Sequence, residues 1–155
     1  MKNNVARTGF ASIFAAALMV SMAATAQAQR GSCSVAGAAG TYGTSDSGTV
    51  IGTGPRSAIS LVTLDGEGNI KGKVTASLNG SVSNTTLSGT YSVNPDCTGT
   101  TSFGEYDSSG NLLITATLAL VWDADMRELR FLFVSAAQPD GTALTTVING
   151  DARKR

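Results

Sequence analysis

Three pairs of carboxylates are the residues of this chain best suited to chemistry. The chain has 155 residues and no histidine, which removes the commonest general base and metal ligand. The pairs lie at or beside predicted turns: Asp65 and Glu67, Glu105 and Asp107, and Asp123 and Asp125. Paired acids can perform acid–base catalysis or bind calcium, but acids at turns are usually solvated. We expect solvated turn acids, with Glu105 as the exception.

Glu105 is the one acid that strand periodicity places inside the fold. If alternate residues from Cys97 to Phe103 face inward, Glu105 does too, near one end of a barrel. Burial would raise the pKa of such a carboxyl and suit it to acid–base work. A register change of one residue would instead expose it to water. Glu105 is therefore the only, and weak, catalytic candidate.

Six aromatic side chains are candidates to line a ligand cavity. They are Tyr42, Tyr91, Phe103, Trp122, Phe131 and Phe133. An eight-stranded barrel has an interior that side chains fill or that holds one small ligand. We favour filling of the barrel over a ligand cavity.

Sequence motifs for metals, nucleotides and nucleophilic serines are missing. Residues 52–57 read G-T-G-P-R-S and lack the Gly-Lys-Ser/Thr of a phosphate-binding loop. No G-x-S-x-G elbow occurs. We expect no cofactor and no metal.

The two cysteines, Cys33 and Cys97, predict one disulfide if the chain is exported. The bond would close a loop of about 65 residues and stabilise the fold by about 4 kcal/mol in the chain-entropy model. Two free thiols, or one reactive thiol, are the alternatives.

The first 28 residues have the pattern of a signal peptide. Lys2 and Arg7 precede an apolar run over residues 10–20, and small residues lead to a cleavage site after Ala28. An uncleaved membrane anchor is the alternative. We divide the chain into a signal peptide (1–28), an N-terminal lead-in (29–39) and a β-barrel domain (40–155).

Cleavage would leave a slightly acidic chain. Removing Lys2 and Arg7 leaves nine basic residues against eleven acidic ones. This balance predicts no nucleic acid or anionic membrane as partner, and no apolar run that could span a bilayer as a helix remains. We expect a periplasmic or extracellular protein. A homo-oligomer would be favoured by an exposed apolar sheet face.

Eight short strands with turn signals between them predict an all-β domain. The strands cover residues 41–50, 57–64, 70–78, 82–93, 98–106, 112–122, 127–135 and 142–152. Their short connections favour an antiparallel up-and-down barrel over a sandwich. Gly72, Gly89 and Gly99 suit bends in a closing sheet. We expect no helix in the mature chain, a loop over residues 52–55 and a solvated basic tail over residues 153–155.

Two short patterns recur in the chain. Gly40-Thr41-Tyr42 resembles Gly89-Thr90-Tyr91, which leads into N-P-D-C-T-G over residues 94–99. With the D-G-E-G-N turn (65–69) and the closing N-G-D-A-R (149–153), these motifs resemble the allene oxide cyclase barrel-like family of small exported bacterial proteins. The resemblance implies an eight-stranded antiparallel barrel related in fold to plant allene oxide cyclases and dirigent proteins. It carries no catalytic position onto this chain.

The function that we predict is non-catalytic: binding of a small apolar molecule, or a structural role. A cofactor-independent cyclase or isomerase is the alternative by fold analogy, and a surface or partner-binding protein is the third. A cavity of several hundred cubic ångströms would favour binding or catalysis. A buried Glu105 beside it would favour an enzyme.

Overall fold

Eight antiparallel strands form a single closed barrel in the computed structural model, which describes residues 32–155. The strands are β1 (Gly40–Val50), β2 (Gly54–Leu64), β3 (Asn69–Leu78), β4 (Ser81–Val93), β5 (Thr98–Tyr106), β6 (Leu112–Trp122), β7 (Glu128–Ala137) and β8 (Thr146–Lys154). Each strand pairs with the next along the chain, and β8 closes the barrel against β1. The predicted up-and-down barrel is confirmed. The predicted signal peptide lies outside the described residues.

Alternation of side chains along the strands sends apolar residues inward. In β3, Ile70 and Val74 are buried while Lys71 and Lys73 are exposed, as the sequence pattern predicts. The β1–β2 pairing runs from Gly40 opposite Leu64 to Val50 opposite Gly54, so both strands keep one register along their whole length. The core is therefore the inside of the barrel.

One end of the barrel is covered by a single helical turn, α1 (Val35–Ala38). This helix corrects the expectation of a mature chain without helices. Ser34 caps it, because the Ser34 hydroxyl accepts a hydrogen bond from Gly37 N at 3.1 Å. We call this the α1 end of the barrel. No helix within residues 32–155 is long and apolar enough to cross a membrane.

Two strands, β2 and β8, begin three or more residues away from their predicted starts. β2 begins at Gly54, so Pro55 belongs to the strand rather than to a loop. Proline fits there because it pairs with Thr49 near the strand end and its carbonyl accepts a hydrogen bond from Asn79 N. β8 begins at Thr146 and runs to Lys154, later at both ends than the strand predicted over residues 142–152.

The basic C-terminus is part of the fold and not only a solvated tail. Lys154 is the last residue of β8, and its Nζ donates to Gly37 O at 2.9 Å. The same ammonium lies 5.6 Å from the centre of the Tyr42 ring. Arg153 pairs with Glu128 at 3.4 Å on the exposed surface. The end of β8 thus helps to hold α1 on the barrel.

Candidate functional site

The interior of the barrel contains a cavity of about 70 Å³. It extends from Leu64 and Ile70 near the α1 end toward a polar group of residues on the other side. Its apolar wall consists of Val62, Leu64, Ile70, Val74, Leu87, Leu118, Leu120, Leu129 and Ala152, with the rings of Phe103, Phe131 and Phe133. The strand pattern turns all these side chains inward. Three of the six candidate aromatic residues therefore lie in the cavity wall.

The other three aromatic candidates lie outside the cavity lining. Tyr42 is fully buried, and its hydroxyl lies 2.8 Å from Ala38 O and 3.2 Å from Met126 O. The Tyr91 hydroxyl donates to the carbonyls of α1 and of the β2–β3 turn. Burial raises the pKa of both phenols, that of Tyr91 to about 12, so they stay protonated donors.

Trp122 is also buried, and its ring packs over Gly99. Its indole nitrogen has no hydrogen-bond partner within residues 32–155. With Tyr42 and Tyr91 it belongs to the closed end of the barrel and not to the cavity wall. These three side chains hold the fold at that end.

Two acids and one base meet at the polar side of the cavity. We call Asp46, Arg56 and Glu105 the Arg56 cluster. Arg56 Nη1 is in direct contact with Asp46 Oδ1, and Arg56 Nη2 lies 3.8 Å from Glu105 Oε1. All three side chains are at least nine-tenths buried. The guanidinium also lies 5.5 Å from the centre of the Phe133 ring.

Strand register brings the cluster together from three strands. Gly48 pairs with Arg56, two residues along β1 from Asp46, which lets the long arginine side chain reach the aspartate inside the barrel. Glu105 points to the same interior from β5, opposite Leu87 of β4. Thr85 Oγ1 donates to Glu105 Oε2 at 3.3 Å.

Sequence reasoning found Glu105 but missed Asp46 and Arg56. The signal was present for Asp46, because it alternates in phase with Tyr42 and Val50, which are both buried. Arg56 was hidden because the start of β2 reads as a loop. Both residues follow the inward phase of their strands.

Burial acts on both carboxyls of the Arg56 cluster. It raises the pKa of Asp46 to about 6; the Arg56 charge opposes this rise and the Glu105 charge adds to it. Burial likewise raises the pKa of Glu105, against the Arg56 charge and the Thr85 hydrogen bond. One guanidinium cannot balance two buried carboxylates, so the cluster can hold a proton in mildly acidic solution.

The other acids of the three predicted pairs lie in turns. Asp65 Oδ1 accepts from Glu67 N and Asn69 N, and Asp107 repeats this pattern with the backbone of its own turn. Asp123 accepts from Arg127 N at 2.8 Å. Hydrogen bonds to Asn69 and Asn111 respectively lower the pKa of Asp65 and of Asp107. These acids shape turns, and no group of three potential ligands for a metal ion occurs within residues 32–155.

Cys33 and Cys97 form the predicted disulfide. The bond joins the segment before α1 to the β4–β5 turn, so it fastens the covered end of the barrel. A disulfide is compatible with an oxidising compartment.

The wall of the barrel is incomplete between β7 and β8. These strands pair only from Glu128 opposite Arg153 to Leu132 opposite Asn149. Residues 133–137 of β7 instead meet the following loop, where Leu144 N donates to Ala136 O at 2.8 Å. This seam begins at Phe133, which lines the cavity.

Several apolar side chains are exposed on the outside of the barrel. They are Ile51, Ile59, Leu61, Val82, Leu113, Val121, Leu132, Val134 and Val147. They lie on several strands and turns. The homo-oligomer expected from the sequence stays a prediction.

Known structures with a similar fold are themselves β-barrel proteins. A redesigned β-barrel is 14% identical, covers 79% of this chain and 95% of its own, and has a TM-score of 0.47. The S-type phycobiliprotein lyase CPES from Guillardia theta is 10% identical, covers 81% and 95%, and has a TM-score of 0.48. No family model and no curated protein matches the chain. The resemblance to the allene oxide cyclase barrel-like family thus stays a prediction.

Proposed function

We propose that this protein is exported and binds one small, mostly apolar molecule inside its barrel, without catalysis. The observation that carries the proposal is the apolar cavity inside the barrel, with the Arg56 cluster on one side. Apolar walls with a few convergent polar groups are the usual composition of a small-molecule site. The entry route that we propose is the seam between β7 and β8, where their pairing stops beside Phe133.

The size of the cavity limits the ligand. At about 70 Å³ it has roughly half the volume of the 150 Å³ engineered cavity that binds benzene. It is also well below the several hundred cubic ångströms of a drug-sized pocket. Side chains fill the rest of the barrel, so the ligand has about three non-hydrogen atoms, roughly half the six of benzene.

A ligand of this size binds weakly. The best small ligands gain about 1.5 kcal/mol per non-hydrogen atom, which limits three atoms to about 4.5 kcal/mol and a Kd of about 0.5 mM. Ordinary ligands fall well short of this limit. We expect a Kd of about 10 mM, on the order of 3 kcal/mol.

Titration with ethanol, which has three non-hydrogen atoms, followed by methyl NMR of the mature protein, tests the proposal. The methyl groups of Val62, Ile70 and Leu118 line the cavity and should shift in a saturable way, whereas exposed Val82 should not. Ala152→Leu fills the cavity and should abolish the shifts. Ala119→Leu adds the same atoms to an outward position of β6 and should leave them unchanged.

Two results would refute interior binding. One is the absence of any saturable shift at the cavity methyls of the wild-type protein. The other is equal binding by Ala152→Leu and the wild type. If Ala152→Leu fails to fold, the contrast between Val62 and Val82 in the wild-type protein decides.

A second candidate is a cofactor-independent isomerase or cyclase. The observation in its favour is Glu105, a buried carboxyl with a raised pKa at the edge of an apolar cavity. Incubation of an extract of the host with wild type and with Glu105→Gln tests it. An enzyme would convert a compound into an isomer of equal mass only with the wild type, and identical extracts would exclude this activity.

A further inference from the structure

We propose that the outer surface of β7 and β8 binds a second copy of this chain and forms a symmetric, reversible homodimer. In such a contact the same residues of both copies meet across a twofold axis. We call this surface the β7–β8 face. It consists of Val121, Glu128, Arg130, Leu132, Asn149, Asp151 and Arg153, with Val134 and Val147 at its edge beside the seam, and all of these residues are exposed. The inference does not depend on a ligand inside the barrel.

Four large aliphatic side chains are exposed on the β7–β8 face. Val121, Leu132, Val134 and Val147 are each about half exposed or more. They come from β6, β7 and β8, three strands that follow one another around the barrel. Exposed apolar side chains that share one surface are typical of protein–protein contacts. A partner that removes them from water therefore gains free energy.

The charges of the β7–β8 face are balanced. Glu128 pairs with Arg153 at 3.4 Å, and Arg130 lies opposite Asp151 in the strand register. Two acids and two bases give the face no net charge, so two copies of it can meet without repulsion. On the outer side of β3, by contrast, two exposed lysines would repel their counterparts in a second copy.

Arg130 and Asp151 are the residues that favour a second copy over other partners. They are exposed cross-strand neighbours, yet neither forms a salt bridge within residues 32–155. Asp151 instead accepts a hydrogen bond from Ser45 Oγ at 3.4 Å, on the side away from β7. A twofold axis between the two strands places Arg130 of one protomer against Asp151 of the other, and it forms this pair twice. A partner with charges of one sign would match only one of the two residues.

The size of the β7–β8 face predicts a weak dimer. Three strands at a spacing of about 4.8 Å and with about 20 Å of length, together with the side chains at the edges, cover about 500 Å² per protomer. The total of about 1,000 Å² is near the lower limit for a specific interface. We therefore expect a Kd on the order of 10 μM for the dimer.

Sedimentation velocity of the full mature protein, from about 1 to about 300 μM, tests the proposal across the expected Kd. We expect the mass to rise from that of a monomer to that of a dimer and to stop there. Leu132→Asp places a charge in the middle of the apolar contact and should keep the protein monomeric over the whole range. Lys73→Asp changes an exposed residue of β3, outside the face, and should leave the dimer unchanged.

Charge reversal tests the pairing of Arg130 with Asp151. Arg130→Asp and Asp151→Arg should each weaken the dimer about tenfold, because like charges then meet across the axis. The double variant exchanges the two charges and should return to within about threefold of the wild-type Kd. Both residues are exposed, so the barrel should still fold, and circular dichroism of each variant checks this.

The inference is wrong if the protein has the mass of a monomer at every concentration, or if its mass rises beyond that of a dimer. It is also wrong if Leu132→Asp or either single charge reversal leaves the dimer intact, or if the double variant dimerises no more tightly than the single ones. Binding inside the barrel is measured separately, so either proposal can fail while the other stands.

Discussion

At the scale of single residues, burial decides which acids have unusual properties. Asp65 and Asp107 lie on the surface and stabilise turns through backbone hydrogen bonds. Asp46 and Glu105 are buried beside Arg56. Charges interact more strongly there than at the surface, because the effective dielectric constant of the interior is lower than that of water. The same residue type therefore serves as a turn residue in one place and as a proton-binding group in the other.

Asp46 should make the stability of the protein fall as pH rises. Its folded pKa of about 6 exceeds its ordinary value of 3.8, so between these values the folded state holds a proton that the unfolded chain has lost. We expect the free energy of unfolding to decrease by about 2 kcal/mol from about pH 4.5 to about pH 7.5. Urea unfolding followed by Trp122 fluorescence measures it.

Asp46→Asn should flatten this dependence, since the titrating group is gone. The charged groups that face Asp46 are Arg56 and Glu105. Because the pKa of Glu105 is also raised, the stability of Asp46→Asn should still fall with pH, but less steeply than that of the wild type. Asp125→Asn at the surface is the control and should behave as the wild type does. A rise of wild-type stability over this pH range would contradict the raised pKa.

Tyr42→Phe should destabilise the fold by about 1–2 kcal/mol, because it leaves buried carbonyl groups without their donor. The carbonyls affected are those of Ala38 and Met126. Tyr106→Phe is the matched control, since the Tyr106 hydroxyl makes no hydrogen bond within residues 32–155. Urea midpoints compare the two variants, and equal losses would show that the Tyr42 hydroxyl contributes nothing specific.

At the scale of elements, α1 is too short to be stable alone. A single turn does not offset the cost of helix nucleation, so its contacts must hold it. These contacts are the disulfide beside it, the two tyrosine hydroxyls beneath it and Lys154 from β8. The covered end of the barrel thus depends on residues from both ends of the domain.

Removal of the disulfide should cost about 2–4 kcal/mol, because its loop of about 65 residues gains conformational freedom in the unfolded chain. The variant is Cys33→Ala with Cys97→Ala, measured by urea unfolding. In the presence of a reductant, the wild type should have the same free energy of unfolding as the double variant. The reductant should not change the free energy of unfolding of the variant. A loss below about 0.5 kcal/mol would contradict a fastening role.

At the scale of the whole molecule, closure of the barrel requires glycine at positions where neighbouring strands and aromatic rings leave no room for a side chain. A Cβ at Gly99 would overlap Ser92 O and lie 2.8 Å from the Trp122 ring. A Cβ at Gly150 would likewise lie 2.6 Å from the Phe131 ring. The large rings and the facing glycines fill the interior together, which is why the cavity is small.

Gly99→Ala should therefore destabilise the barrel by about 1–3 kcal/mol, since the new methyl group overpacks the interior. Gly43→Ala is the control, because nothing lies within 4 Å of a Cβ there. We expect that change to be neutral or slightly stabilising. Thermal unfolding of both variants tests the contrast, and a harmless Gly99→Ala would show that the interior has room to spare.

Local pattern was sufficient to predict most of the architecture. Alternation and turn residues predicted eight strands and the barrel, because both signals act over a few neighbouring residues. The inward position of Glu105 followed from the same alternation. Boundaries at Gly54 and Thr146, and the helical turn α1, were missed because they depend on pairing and capping partners.

The sequence by itself determined the strand pattern, the turns, the pair of cysteines and the inward phase of Glu105. Only the tertiary structure decided that Asp46 and Arg56 meet Glu105, that Tyr42 and Tyr91 support α1, and that the cavity measures about 70 Å³. The reason is physical. Periodicity assigns each side chain to a face of its strand, but the register of closure decides which side chains from different strands share the interior.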